Sequence, residues 1–154
     1  MPFTIFRPVV IYGPNPKGNI GILARLAKLP VPLPIASFRS RRSLLGIDNF
    51  ISAIIFALKN PATIGETYIL ADSKPFTIGE IITVLREKRG RSIMTIYVPK
   101  VIIRLLFVMC GRKEYWLHLT GDLIADTSKF ESLGWQPAKD TREGLLDMMR
   151  ADDG

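Results

Sequence analysis

The sequence is short of the residues that build disulfides and metal sites. One cysteine, Cys110, excludes an intrachain disulfide, and one histidine, His118, leaves no cluster with zinc-ligand spacing. Such a chain suits a reducing compartment, and a cytoplasmic location is expected. No N-terminal stretch has the basic, apolar, small-residue order of a signal peptide. Long apolar runs are also missing. The most apolar late stretch, Val101 to Cys110, falls well short of the roughly 20 residues of a membrane span and carries Arg104, so it reads as a buried or interfacial helix. Acidic residues are in the minority, 14 against 21 Lys and Arg, for a net charge of +7. Anionic partners are therefore open: phosphates, nucleic acid or acidic lipid. Nucleic acid would call for exposed aromatics among the basic residues or a recognisable motif, and neither is evident.

What is present is enough for one globular domain: 154 residues, 47% of them hydrophobic. The domain is expected over residues 1–150, with a frayed tail at 151–154. Ile5 to Tyr12 is a continuous apolar run of the type found in strands covered on both faces. Ile22, Leu23, Leu26 and Leu29 predict a helix over Ile20 to Leu29, stopped by Pro30. A second helix is expected from Asp48, as cap, to Asn60-Pro61. Thr67 to Ala71 predicts a strand. Thr77 and Glu80 form a capping box for a helix over Ile78 to Arg89. Ile93 to Val98 predicts another strand, and Pro99 suits the first turn of the helix after it. Thr127 and Thr141 are the expected caps of two last helices, the first closed by Gly134. The class is α/β, few strands with flanking helices.

One stretch imitates a cofactor loop. PNPKGNIGILARLAKL follows the first strand with Gly18 and Gly21, in the manner of a dinucleotide-binding turn. In such a turn the first glycine follows the strand almost at once, whereas here Pro14, Asn15, Pro16 and Lys17 intervene. Such a turn also expects an acidic residue about 20 positions on for the ribose hydroxyls, or an arginine for a 2′-phosphate; Arg39 lies near that distance, but within ASFRSRRS rather than at the end of an apolar strand. The favoured reading is a loop with Asn19 opening a helix; Lys17, Asn19 and the free N–H groups there can still meet an anion.

The order FRPVVIYGP, KGNIGILARL, RRSLLGIDN, GETYILAD, TIGEII, LIADTSKFESLGWQP and TREGL resembles the C-terminal, substrate-binding portion of the extended short-chain dehydrogenase/reductases. These are the NAD-dependent sugar-nucleotide epimerases, dehydratases and 4-keto-reductases, with a Rossmann-type fold. The resemblance runs from about Phe3 to Met149 and is strongest to UDP-glucose 4-epimerase-like proteins of surface-polysaccharide synthesis. It implies NAD or NADP as cofactor and a nucleotide diphosphate sugar as ligand. The family's R-x-x-x-V-Y-G-P segment, beside the nicotinamide and the sugar, maps to Arg7 through Pro14, so Pro8, Val9 and Val10 would line that boundary. Many epimerases have asparagine where this chain has Val10. The family's asparagine near the substrate phosphates matches Asn19, and its diphosphate-gripping arginine matches Arg42. A planar guanidinium fork suits phosphate oxygens.

The family's T-G-x-x-G-x-x-G loop and catalytic Tyr-x-x-x-Lys lie upstream of this region. None of the 4 tyrosines has lysine four positions later; Tyr97 comes closest, with Lys100. The expectation is thus a substrate-binding half, without catalytic residues of its own, inactive alone and not binding the cofactor alone. An uncovered strand predicts self-association or pairing with an N-terminal half. The alternative is a non-catalytic binding or assembly module for acidic partners. Arg39 and Arg41 read as a solvated loop, and Arg86, Lys88, Arg89 and Arg91 as cations at a helix C-terminus. His118, Cys110, Trp116 and Trp135 read as structural residues, Trp116 also as a possible border of the sugar pocket.

Overall fold

A computed structural model describes residues 2–35, 37–88, 90, 96–109 and 121–152. The apolar run at Ile5 to Tyr12 is two strands, because the chain changes partner at Val9. Strand β1 (Ile5–Pro8) pairs in parallel with β5 (Thr67–Leu70), with Ile5 opposite Thr67 and Pro8 opposite Leu70. Strand β2 (Val10–Tyr12) pairs in parallel with β4 (Leu44–Gly46), Val10 opposite Leu44. The Val9 N–H still donates to Leu70 O, and the Asp72 N–H donates to Leu44 O, linking the two ladders. Strand β3 (Arg41–Arg42) runs antiparallel to β6 (Phe76–Thr77). The strands β3 and β4 were not expected from the sequence: two or three residues are too few for a period-2 pattern to emerge.

Parallel strands need crossovers, and helices supply them. Helix α1 (Gly18–Lys28) joins β2 to the β3–β4 segment. Helix α2 (Ile47–Lys59) and a 3₁₀ turn (Pro61–Thr63) join β4 to β5. Helix α3 (Ile78–Glu87) follows β6, then come α4 (Lys100–Met109), α5 (Ser128–Glu131) and α6 (Thr141–Asp152). Helix α3 packs between α1 and α6. One core gathers Ala24 and Ala27 of α1, Ile82 and Leu85 of α3 and Leu145 and Met149 of α6 around Tyr12 and Leu44. A second holds Leu45, Tyr68, Leu70, Phe130 and Trp135. Neighbours Leu44 and Leu45 thus point to opposite cores, as a strand requires, and β4 is covered on both faces. Phe130 is fully buried, with ring centroids of Tyr68 at 4.8 Å, Trp135 at 5.2 Å, Phe56 at 5.5 Å and Phe6 at 5.7 Å. Burial of such a side chain contributes about 1.5–3 kcal/mol.

The first strand run is not covered on both faces. Ile5, Val10 and Ile11 remain 44%, 46% and 38% exposed, and Ile69 beside them 43%. Continuous apolar character marks what these residues would tolerate, and here only Tyr12 is fully enclosed.

The Thr77–Glu80 capping box is present. The Glu80 N–H donates to Thr77 Oγ1 at 3.1 Å and the Thr77 N–H to Glu80 Oε2 at 2.7 Å. Three other caps are corrected. Gly46 is the N-cap of α2, while Asp48 lies in its first turn and binds Lys139 at 2.8 Å. Thr127 makes no backbone cap bond; its hydroxyl turns to Glu131, and the Ser128 N–H goes to Asp126. Thr141 is inside α6, its buried hydroxyl donating to Lys74 O, and Asp140 accepts the Glu143 N–H at 2.8 Å instead. Arg86 does lie in the last turn of α3, as expected, and it is buried there, donating to Leu29 O and Val31 O beyond the C-terminus of α1. Of the expected strand over Ile93 to Val98, Ile96 to Val98 are in no strand, and the remainder lies outside the described residues, as do Arg89, Arg91, Cys110, Trp116 and His118. Helix α6 continues through Ala151 and Asp152.

Candidate substrate-side site

The glycine-rich stretch after β2 folds for its own sake. Gly18 has φ +59°, a left-handed conformation that glycine adopts without steric cost. A Cβ at Gly21 would lie 2.3 Å from the Pro16 carbonyl oxygen, so the second glycine lets the PNPK turn close on its own helix. That is a packing role, and it fits a substrate-side turn better than a pyrophosphate cradle. Lys17, the N-cap residue of α1, and Asn19 in its first turn are both exposed there.

Arg42 sits on β3, two residues before β4. The Val10–Leu44 pair opens the β2–β4 ladder; Pro8 and Val9 precede it on one chain segment, and Arg42 precedes it on the other, where it pairs with Phe76 and bridges to Leu123. Lys17 and Asn19 lie beyond the other end, past Tyr12; Arg42 is four residues upstream of Gly46, roughly 13 Å along an extended strand. The backbone around Arg42 is pinned on its other side: the Ser43 N–H donates to Leu123 O, the Leu123 N–H to Arg41 O, and the Arg41 N–H to Asp122 Oδ1. The Arg42 Nε and Nη2 atoms are shielded from water and have no hydrogen-bond partner among the described residues. Burial lowers the guanidinium pKa, partly opposed by Asp122. Shielded N–H groups without acceptors are costly, and an oxyanion satisfies them in pairs. Arg39 and Arg41 are exposed, as expected.

The sequence reading missed a buried polar network at the carboxyl ends of β2 and β4. Asp72 accepts from Tyr12 Oη at 2.7 Å, from Asn49 Nδ2 at 2.7 Å and from the Gly46 N–H at 3.1 Å. Asn49 also donates to Lys139 O and accepts from the Lys139 N–H. Burial raises the pKa of Asp72 despite these hydrogen bonds, and burial with the neighbouring Asp72 raises that of Tyr12 well above its usual value. A cleft of about 110 Å³ opens over this network. At its rim Lys139 binds Asp48 at 2.8 Å and Asp147 at 2.9 Å, so its charge is already matched. Of the two places, the Arg42 region is the one suited to an anion. No local signal pairs Tyr12 with Asp72: they are 60 residues apart.

Parallel strands with helical crossovers and a sheet covered on both faces at β4 define a Rossmann-type α/β protein. Comparison with known proteins makes this specific. The chain is 29% identical over 153 residues to UDP-glucose 4-epimerase of Vibrio cholerae, covering 98% of this chain and 47% of that protein. Its fold matches UDP-glucose 4-epimerase of Thermotoga maritima, solved with UDP-glucose, with TM-score 0.67 at 17% identity, over 98% of this chain and 46% of that one. It also matches UDP-glucuronic acid 4-epimerase of Bacillus cereus, solved in complex with NAD, with TM-score 0.66 at 21% identity, over 96% and 42% of the respective chains. No protein-family model matches the chain. The chain spans about half the length of these relatives, which fits the likeness to the C-terminal portion of NAD-dependent sugar epimerases and dehydratases read from its motifs.

Proposed function

We propose that this chain is the substrate-binding part of an NAD(P)-dependent nucleotide-sugar epimerase, dehydratase or 4-keto-reductase, with Arg42 holding the diphosphate. The observation that carries this reading is the pair of shielded Arg42 nitrogens without partners among the described residues. Val10, 46% exposed, offers an apolar contact at the start of β2. Lys17, the N-cap residue of α1, and Asn19 in its first turn offer a second polar contact. The dinucleotide, when bound in such enzymes, supplies reversible hydride acceptance; this chain's residues bind and orient the sugar nucleotide. The chain carries no Tyr-x-x-x-Lys, which supports inactivity in isolation.

Calorimetric titration with UDP, UDP-glucose and NAD, run separately, tests the reading. Binding of UDP or UDP-glucose without NAD is expected. Arg42→Ala should weaken it at least tenfold, since hydrogen bonds to charged groups contribute about 1.5–3 kcal/mol. Unchanged affinity in that variant removes the site assignment. Salt-sensitive binding to generic polyanions, with no preference for nucleotide sugars, would favour an assembly module using the exposed Arg39 and Arg41.

A further inference from the structure

Helix α4 carries exposed apolar residues that no other described helix or strand packs against extensively. Val101, Ile102, Leu105, Val108 and Met109 are 76%, 50%, 58%, 38% and 76% exposed. At helical spacing these positions form one stripe roughly 120° wide, the width of a buried face. Yet α4 has no extensive packing against any other described helix or strand. Its root is held: Val98 packs against the first core, Val98 O accepts from Ser37 Oγ, and the Ile96 N–H donates to Leu33 O. The stripe is therefore presented from a fixed base.

The charges indicate what covers it. The helix sequence KVIIRLLFVM holds two cations and no acid, and the CGRKE after it adds two cations and one acid. Arg104 is exposed and lies at the margin of the stripe. A second copy would set like charges against each other. Among the described residues no helix is long and apolar enough to cross a membrane: the ten described residues of α4 span only roughly 15 Å against a hydrocarbon core of about 30 Å. An apolar stripe with cations at its margin suits a helix lying in the plane of an anionic interface, with aliphatic side chains among the acyl chains and guanidinium at the headgroups. We propose that α4 docks the protein on the surface of a bilayer containing anionic lipid.

The test is co-sedimentation of the chain with unilamellar vesicles, either phosphatidylcholine alone or phosphatidylcholine with phosphatidylglycerol. The expected result is partition into the anionic vesicles, weakened by salt. Leu105→Asp should lower it about tenfold through lost apolar contact and added negative charge, and Arg104→Glu about fivefold or more. Leu58→Asp, on the exposed flank of α2, should leave it unchanged. Circular dichroism should match the wild type for all three variants. Absence of partition, equal partition into both vesicles, or partition indifferent to Leu105→Asp would each overturn the proposal. So would loss of partition by Leu58→Asp to the same extent. A drop in sedimentation mass on Leu105→Asp, without vesicle binding in the wild type, would identify a second copy as the occupant instead.

Discussion

Asp72 and Tyr12 show how one buried pair sets the local chemistry. Both are nearly inaccessible, and the tyrosine hydroxyl is one of the donors that keep the carboxylate solvated inside the protein. Tyr12→Phe is expected to cost about 1–3 kcal/mol, the penalty of a buried acceptor losing a donor. Chemical denaturation of the two proteins measures it. The raised Asp72 pKa has a definite sign. Stability linked to it is fully present below the unfolded carboxyl pKa, about 3.9, and is lost as pH rises through the folded value. The unfolding free energy of the wild type, measured relative to Asp72→Asn, should therefore fall as pH rises above about 4. A difference independent of pH would contradict the assignment of burial as the dominant cause. Gly144 completes this centre: a Cβ there would lie 2.3 Å from Tyr12 Oη, which Asp72 holds in place. Gly144→Ala should destabilise the fold by roughly 1–3 kcal/mol, the usual cost of overpacking, read as a lowered Tm.

Among the elements, α3 is the one whose start is written locally. Its capping box needs only Thr77, Glu80 and the backbone between them, so it was legible before any tertiary contact was known. Thr77→Ala should cost about 1 kcal/mol in unfolding experiments. The caps at Asp48 and Thr141 failed because other partners won: Lys139 for the carboxylate and Lys74 O for the hydroxyl. The place of Arg86 in the last turn of α3 is legible locally, but the carbonyls that it serves follow a different helix. The break at Val9 also has a long-range cause, since β1 and β2 take different partner strands.

For the whole molecule, the exposed apolar residues of β1, β2 and β5 remain to be accounted for. Phe3, Ile5, Val10, Ile11 and Ile69 lie on or beside strands whose family relatives are about twice as long as this chain. Exposed apolar strands favour association. The expected outcome is a mass of twice the monomer or more in analytical ultracentrifugation, or stoichiometric pairing with a separately expressed cofactor-binding half. A monodisperse monomer that ignores such a half would overturn the expectation.

The sequence by itself determined the α/β alternation, the positions of the main helices, the α3 cap and the likeness to sugar-nucleotide epimerases, because each rests on short-range periodicity or ordered motifs. It also singled out Arg42. Only the tertiary structure decided that the glycine-rich turn packs on its own Pro16 carbonyl, that Arg42 pairs with Phe76 and bridges to Leu123, and that Tyr12, Asn49 and Asp72 share one buried network. Each of these depends on strand register or on backbone approach between distant residues. Local propensity carries no record of such pairings; burial and hydrogen-bond satisfaction across the fold select them.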